Sequence, residues 1–136
     1  MELKVLESHG RRLRKLRVQL LDNCNYRCTY CMPAEPVFSK SSSWLSASQW
    51  REVVAPLRER GVDELRLTGG EPLLRPDFIE VAESLSSLSW RKMGITTNAE
   101  KLCEVLPEMK RRTKIDSINV SLDSLDPKRF QRITGR

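Results

Sequence analysis

Polar and apolar residues alternate over Lys15–Leu21, with Leu16, Val18 and Leu20 on one face and Arg17, Gln19 and Leu21 on the other, the period of a β-strand. Glu64–Thr68, Lys92–Asn98 and Asp116–Asp123 read as three more strands. Helical periodicity fills the gaps between them. Ser46 is placed to cap a helix running to about Arg60, in which Trp50, Val53, Val54 and Leu57 recur at helical spacing before Gly61 ends it. Pro76 takes the first position of a second helix reaching about Leu85. Lys101–Arg111 forms a third, and Asp126-Pro127 opens a last one. Pro36–Ser43 is a polar, serine-rich connector, and there is no solenoid-type repeat. Strand and helix alternate four times, which predicts an α/β fold with a parallel sheet.

The parity of the strands sharpens this. Val18, Leu20, Leu65, Leu67, Met93, Ile95, Ile118 and Val120 share one face, the one that helices should cover. Arg17, Gln19, Arg66, Thr68, Thr96, Asn98, Asn119, Ser121 and Asp123 share the other. A parallel sheet buried on both faces reads as near-continuous Val, Ile and Leu, which this one does not. A charge aimed into a packed core costs several kcal/mol unless it is paired. The polar face therefore predicts a barrel or half-barrel whose interior holds a polar ligand. A one-layer sheet with a solvated face is the alternative.

Composition narrows the setting. The chain has 136 residues, enough for one domain over 1–136, with 39% hydrophobic and 31% charged residues. Its net charge of +6 favours anionic company such as nucleic acid, an acidic membrane surface or a phosphorylated small molecule. The basic run Arg11, Arg12, Arg14 and Lys15 reads as a solvated surface stretch and not as a nucleic-acid patch. Met1–Leu20 holds no apolar run of signal-peptide length and nothing later could span a bilayer, so a cytoplasmic protein with no membrane partner is expected. Thiols stay reduced there, which makes the four cysteines metal ligands or bystanders.

Three of them, Cys24, Cys28 and Cys31, are spaced C-x3-C-x2-C within one loop after the first strand. Thiolates hold [4Fe–4S] clusters, and three ligands leave one iron open to an exogenous chelate. Zinc competes, although structural zinc wants four protein ligands. Redox chemistry at Cys28 and Cys31 is a third reading, which leaves Cys24 unused. Cys103 reads as a small buried hydrophobe, and His9 carries no signal.

The loop, with Tyr30 just before its third cysteine and Gly69-Gly70-Glu71-Pro72 after the second strand, resembles the radical S-adenosylmethionine (radical SAM) superfamily. Arg17–Pro33, Arg66–Leu73, Gly94–Asn98 and Asn119–Asp123 are similar, more narrowly, to the GTP 3′,8-cyclase family of molybdenum cofactor biosynthesis. That resemblance implies the first four or so strand–helix units of a partial (β/α)6 TIM-like barrel. It also implies that Cys24, Cys28 and Cys31 ligate a [4Fe–4S] cluster fed by an electron donor, which cleaves S-adenosylmethionine reductively. Tyr30, Gly70 and Ser121 would contact S-adenosylmethionine, and Arg17, Arg66 and Thr96 would bind GTP or another small anionic substrate. Each has a plainer reading: a turn for the Gly pair, packing for Tyr30, and ion pairs with Glu64 or Asp123 for the two arginines. Within the resemblance, a peptide-modifying radical SAM enzyme is the alternative activity. Outside it, a non-catalytic metal-binding module remains.

The chain departs from the family at Asn23, where arginine is usual, and at Ala99, where glycine is usual. It also stops after four strands, whereas the family has six units and a second cysteine triplet. An N-terminal portion without full activity of its own is therefore expected, self-associating through the exposed edge at Ile118, Val120 and Leu122.

Overall fold

Four parallel strands lie side by side in the order in which the chain makes them. The protein is seen in a computed structural model that describes residues 10–33 and 35–136, so His9 and the residues before it lie outside the described residues. Strands β1 (Lys15–Gln19), β2 (Glu64–Thr68), β3 (Lys92–Thr97) and β4 (Ser117–Val120) alternate with helices α1 (Ala47–Glu59), α2 (Phe78–Ser86), α3 (Leu102–Arg112) and α4 (Pro127–Thr134). Two 3-10 turns, Ser41–Ser43 and Pro72–Leu74, lie inside segments that the pattern leaves as loops.

Local chemistry explains the helix starts. Ser46 and Gln49 form a reciprocal capping box ahead of α1. Asp126 accepts from the Arg129 amide at 2.7 Å ahead of α4, whose first residue is Pro127. Helix α2 begins at Phe78, two residues later than the pattern predicts, because Pro76 belongs to the turn before it. Asp77 precedes the helix, but its carboxylate takes Arg75 instead of a helix amide.

The core lies on the face that parity assigns to it. Val18, Leu65, Leu67, Met93 and Ile95 pack with Val54 of α1, Val81 and Leu85 of α2 and Met109 of α3. Each such side chain contributes roughly 1.5–3 kcal/mol on burial. Helix α1 packs on α2, and α2 on α3. Val53 is exposed despite its helical spacing. The cover stops at β3. Ile118 and Val120 of the edge strand β4 are exposed, contrary to the parity expectation, because α4 turns back toward the cysteine loop.

On the opposite face, Arg17, Arg66, Gly94 and Ser117 stand in register across all four strands. One step further along come Gln19 beside Thr68 and Thr96 beside Asn119. No helix covers this face among the described residues, and Arg17, Gln19 and Asn119 are exposed. At the N-terminal edge of the sheet the basic run is paired, not merely solvated. Arg12 donates to the Gly61 carbonyl at 2.9 Å, Arg14 meets Asp63 at 2.9 Å, and Lys15 meets Glu64 at 3.5 Å. Among the described residues no helix is long and apolar enough to cross a membrane.

Candidate cluster and cofactor site

Because the strands are parallel, their C-terminal ends share one edge, where α/β sheets bind ligands. The cysteine loop leaves β1 there, Gly69–Glu71 leaves β2, Asn98 leaves β3, and Ser121–Asp123 leaves β4. β2 keeps its expected bounds, while β3 stops one residue short of them, β1 two and β4 three, yet pairing runs on past the strand ends. Leu20 N–H donates to Thr68 O at 2.9 Å, Gly70 N–H to Leu21 O at 2.8 Å, and Glu71 N–H to Asn23 O at 2.8 Å. Ser121 N–H likewise donates to Thr97 O at 2.8 Å.

That zipper is why two glycines stand together. A Cβ on Gly69 would lie 2.8 Å from the Leu21 carbonyl oxygen. One on Gly70 would lie 2.5 Å from the Asp22 carbonyl oxygen and closer still to that of Asn23. Only a residue without a side chain lets the cysteine loop lie flat on this turn. Glu71, 1% exposed, joins three elements. Its carboxylate accepts from Leu73 N–H at 3.0 Å, from the Thr97 hydroxyl at 2.7 Å and from Asn98 N–H at 2.7 Å. Asn98 passes the connection on, donating to the Asn25 side chain at 2.8 Å inside the cysteine loop. Arg75, also buried, donates to the Leu20 and Leu45 carbonyls, pairs with Asp77 and lies over the Trp44 ring. In the sequence Glu71 stands out only as part of a motif, and Arg75 and Asn98 are not among the candidate anchors. Their signal was present in G-G-E-P and in the charge of a residue inside an apolar stretch.

Cys24 and Cys28 are half-buried and Cys31 is exposed, all three as free thiols. Burial raises the Cys24 thiol above its ordinary range, a Tyr26 amide donated to its sulfur at 3.4 Å offsets part of that, and the charges of Glu71, Cys28 and Cys31 raise it further. Burial likewise raises Cys28, with Asp123 and Cys31 adding repulsion. Three thiolates that repel one another in one loop need a strongly positive centre to hold them ionised. Among the described residues no group of three His, Cys, Asp or Glu is close enough for a single metal ion. Three cysteine sulfurs on one loop, with no other donor type among them, suit an iron–sulfur cluster, and the residues fit that group.

Tyr30 reaches from the cysteine loop to the end of β4, its hydroxyl donating to Asp123 at 3.0 Å. That hydrogen bond, followed by desolvation, pushes the phenol far above its ordinary range. Ser121, exposed, is one residue past β4. Cys24, Cys28, Cys31, Tyr30, Gly70 and Ser121 thus gather at one edge of the sheet, while Arg17, Arg66 and Thr96 lie along its polar face. Neither arginine makes the ion pair weighed for it. Glu64 takes Lys15 and Arg91, and Asp123 takes Tyr30. Among the described residues Arg66, 8% exposed, donates only to the Ile95 carbonyl at 3.2 Å. Gly94 leaves it room, since a Cβ there would stand 2.9 Å from its guanidinium carbon. Cys103 is exposed on α3, which overturns its reading as a buried hydrophobe.

The Radical SAM superfamily profile matches residues 18–136. The chain belongs to the radical SAM superfamily. A GTP 3′,8-cyclase of Synechocystis is 46% identical over 136 residues, which are all of this chain and 41% of that relative. The bovine molybdenum cofactor biosynthesis protein 1 is 39% identical over 132 residues, 96% of this chain and 21% of that protein. The chain therefore spans well under half the length of the curated relatives it matches. Crystalline Streptococcus suis SuiB, bound to its precursor peptide SuiA, superposes with a TM-score of 0.74 over 90% of this chain and 27% of SuiB, at 23% identity. That likeness establishes the radical SAM fold for the four strand–helix units.

Proposed function

We propose that residues 1–136 are the cluster- and cofactor-binding core of a GTP 3′,8-cyclase acting in molybdenum cofactor biosynthesis. The observation that carries this reading is 46% identity along the entire chain to a protein of that name. Cys24, Cys28 and Cys31 would hold a [4Fe–4S] cluster, which when bound supplies the electron for reductive cleavage of S-adenosylmethionine.

The residues around it have definite work. Gly69 and Gly70 seat the loop that presents the three thiolates. Tyr30, Gly70 and Ser121 line the edge where S-adenosylmethionine would lie, and the Tyr30–Asp123 hydrogen bond holds the ring beside Cys31. Arg17 and Arg66, in register on neighbouring strands, would offer two guanidinium groups to one ligand, with Thr96 one layer further along. A buried guanidinium with a single carbonyl partner has donors to spare for a triphosphate. An anion there also relieves the cost of leaving that charge unpaired. An electron donor and a soluble, intracellular setting complete the proposal.

The test is GTP binding to the anaerobically reconstituted protein. Arg17→Ala and Arg66→Ala should each weaken it by about 1.5–3 kcal/mol, the range of a charge-assisted hydrogen bond, and leave the cluster spectrum unchanged. Unaltered affinity in both variants would move the substrate to another class, a peptide first among them.

A further inference from the structure

Helix α4 and the cysteine loop meet through backbone as well as side chains. The last turn of an α-helix leaves four carbonyls without an intrahelical partner. Here Arg27 N–H donates to Thr134 O at 2.8 Å and Thr29 N–H to Ile133 O at 3.0 Å. These two amides flank Cys28, one on each side. Gly135 closes the helix at φ +69°, and a Cβ on it would stand 3.3 Å from the Cβ of Arg27. One turn earlier, Phe130 meets Tyr26 edge to face, with centroids 5.8 Å apart and planes at 82°. Arg136 Nε donates to the Asn25 carbonyl at 2.9 Å, and Thr134 is fully buried. Asn25, Tyr26, Arg27 and Thr29 are thus each held by the segment Phe130–Arg136.

The distribution of loop amides matters chemically. Tyr26 N–H points at the Cys24 sulfur, while Cys31 N–H and Met32 N–H turn onto the Cys28 carbonyl. The amides beside Cys28 are committed to α4. Hydrogen bonds to sulfur help set the potential of an iron–sulfur cluster, because a donated N–H stabilises the more negative, reduced state. Amides spent on helix carbonyls are withheld from that role.

We propose that α4 is the positioning element of the cluster loop and Phe130 its principal positioning residue. It fixes the Cys28 thiolate and keeps the flanking amides from the sulfurs, which holds the bound cluster at a low potential. This rests on the reading of the three cysteines as cluster ligands. If the unaltered protein takes up no cluster, that reading fails. If it does and α4 variants behave identically, only the present inference fails.

The experiment uses the anaerobically reconstituted protein, its midpoint potential followed by electron paramagnetic resonance and its iron loss to a chelator timed. Phe130→Ala should release iron about tenfold faster, the lower end of the range for loss of a residue that orients a metal ligand. Its midpoint should also move to a more positive value. Phe130→Tyr keeps the ring and should restore both. Val105→Ala, in α3 against the core, lowers stability away from the loop and should change neither. An unchanged potential and iron release in Phe130→Ala, or equal changes in Val105→Ala at the same melting temperature, would overturn the inference. If Phe130→Ala does not fold, Arg136→Ala removes one exposed hydrogen bond to the loop and should show a smaller shift in the same direction. No shift in that variant would overturn it as well.

Discussion

Ala99 sits at φ +67°, in the left-handed region that costs a residue with a Cβ about 1–2 kcal/mol. Its conformation is held from both sides, by its own amide donating to the Thr97 hydroxyl at 2.9 Å and by its carbonyl accepting from Leu102. Ala99→Gly should raise the stability to unfolding by up to about 1 kcal/mol, since glycine's extra freedom in the unfolded chain cancels part of the relief. Urea denaturation measures it, and an unchanged or lower midpoint would show that the turn relaxes around alanine. Glu71 gives the opposite case. Glu71→Gln turns one acceptor of a buried three-donor cluster into a donor, and should cost about 1–3 kcal/mol. Faster hydrogen exchange at the Asn98 amide should accompany that loss, because Asn98 would no longer be tied to β2. Equal stability and equal exchange would mean that the clamp is redundant. In the sequence Gly70 stands only as part of G-G-E-P, a turn or, by resemblance, a contact for S-adenosylmethionine. The partner seen is the chain's own Asn23 carbonyl, and a linear sequence carries no sign of which backbone approaches.

Among the elements, the order of strands and helices and the cap at Ser46 were legible, because they follow from local periodicity and side-chain chemistry, whereas the reciprocal bond from Gln49 was not read. The bounds of β1, β4 and α2 were not, because they depend on where neighbouring strands stop pairing and on which partner claims Asp77. The path of α4 was equally hidden. Its length and cap are local, but its direction is set by loop amides far away in sequence. The turn before α2 supplies a pH prediction. The Arg75 hydrogen bond holds the Asp77 carboxyl below its ordinary value near 3.8, partly opposed by desolvation. A depressed carboxylate stabilises the fold fully above its unfolded pKa, and the contribution is lost as pH falls through the lower folded value. Acidification below about pH 4 should therefore loosen Arg75 from Trp44, over whose ring it lies. Trp44 fluorescence followed from pH 6 to pH 2 should show the change, and Asp77→Asn should flatten it. An identical acid profile in that variant would assign the transition to other carboxylates.

At the scale of the molecule, the sheet presents one covered face, one polar face and an open edge. Val120 and Leu122 are each more than half exposed at or just past β4, and Leu125 is 90% exposed. Unpaired strand backbone beside apolar side chains is a template for another chain. The 136-residue chain should self-associate with rising concentration by light scattering, and Val120→Lys should suppress it. A monomer at all concentrations would remove that expectation. The central claim concerns the C-terminal edge of the sheet, where the turns after β2 and β3 and helix α4 hold one loop of three cysteines. Iron and sulfide analysis of the anaerobically reconstituted protein tests it most directly, repeated on each cysteine variant. About four irons per chain, lost in Cys24→Ala, Cys28→Ala and Cys31→Ala but kept in Cys103→Ala, is the predicted result. One stoichiometric zinc without sulfide, or iron binding that survives loss of any of the three loop cysteines, would contradict it.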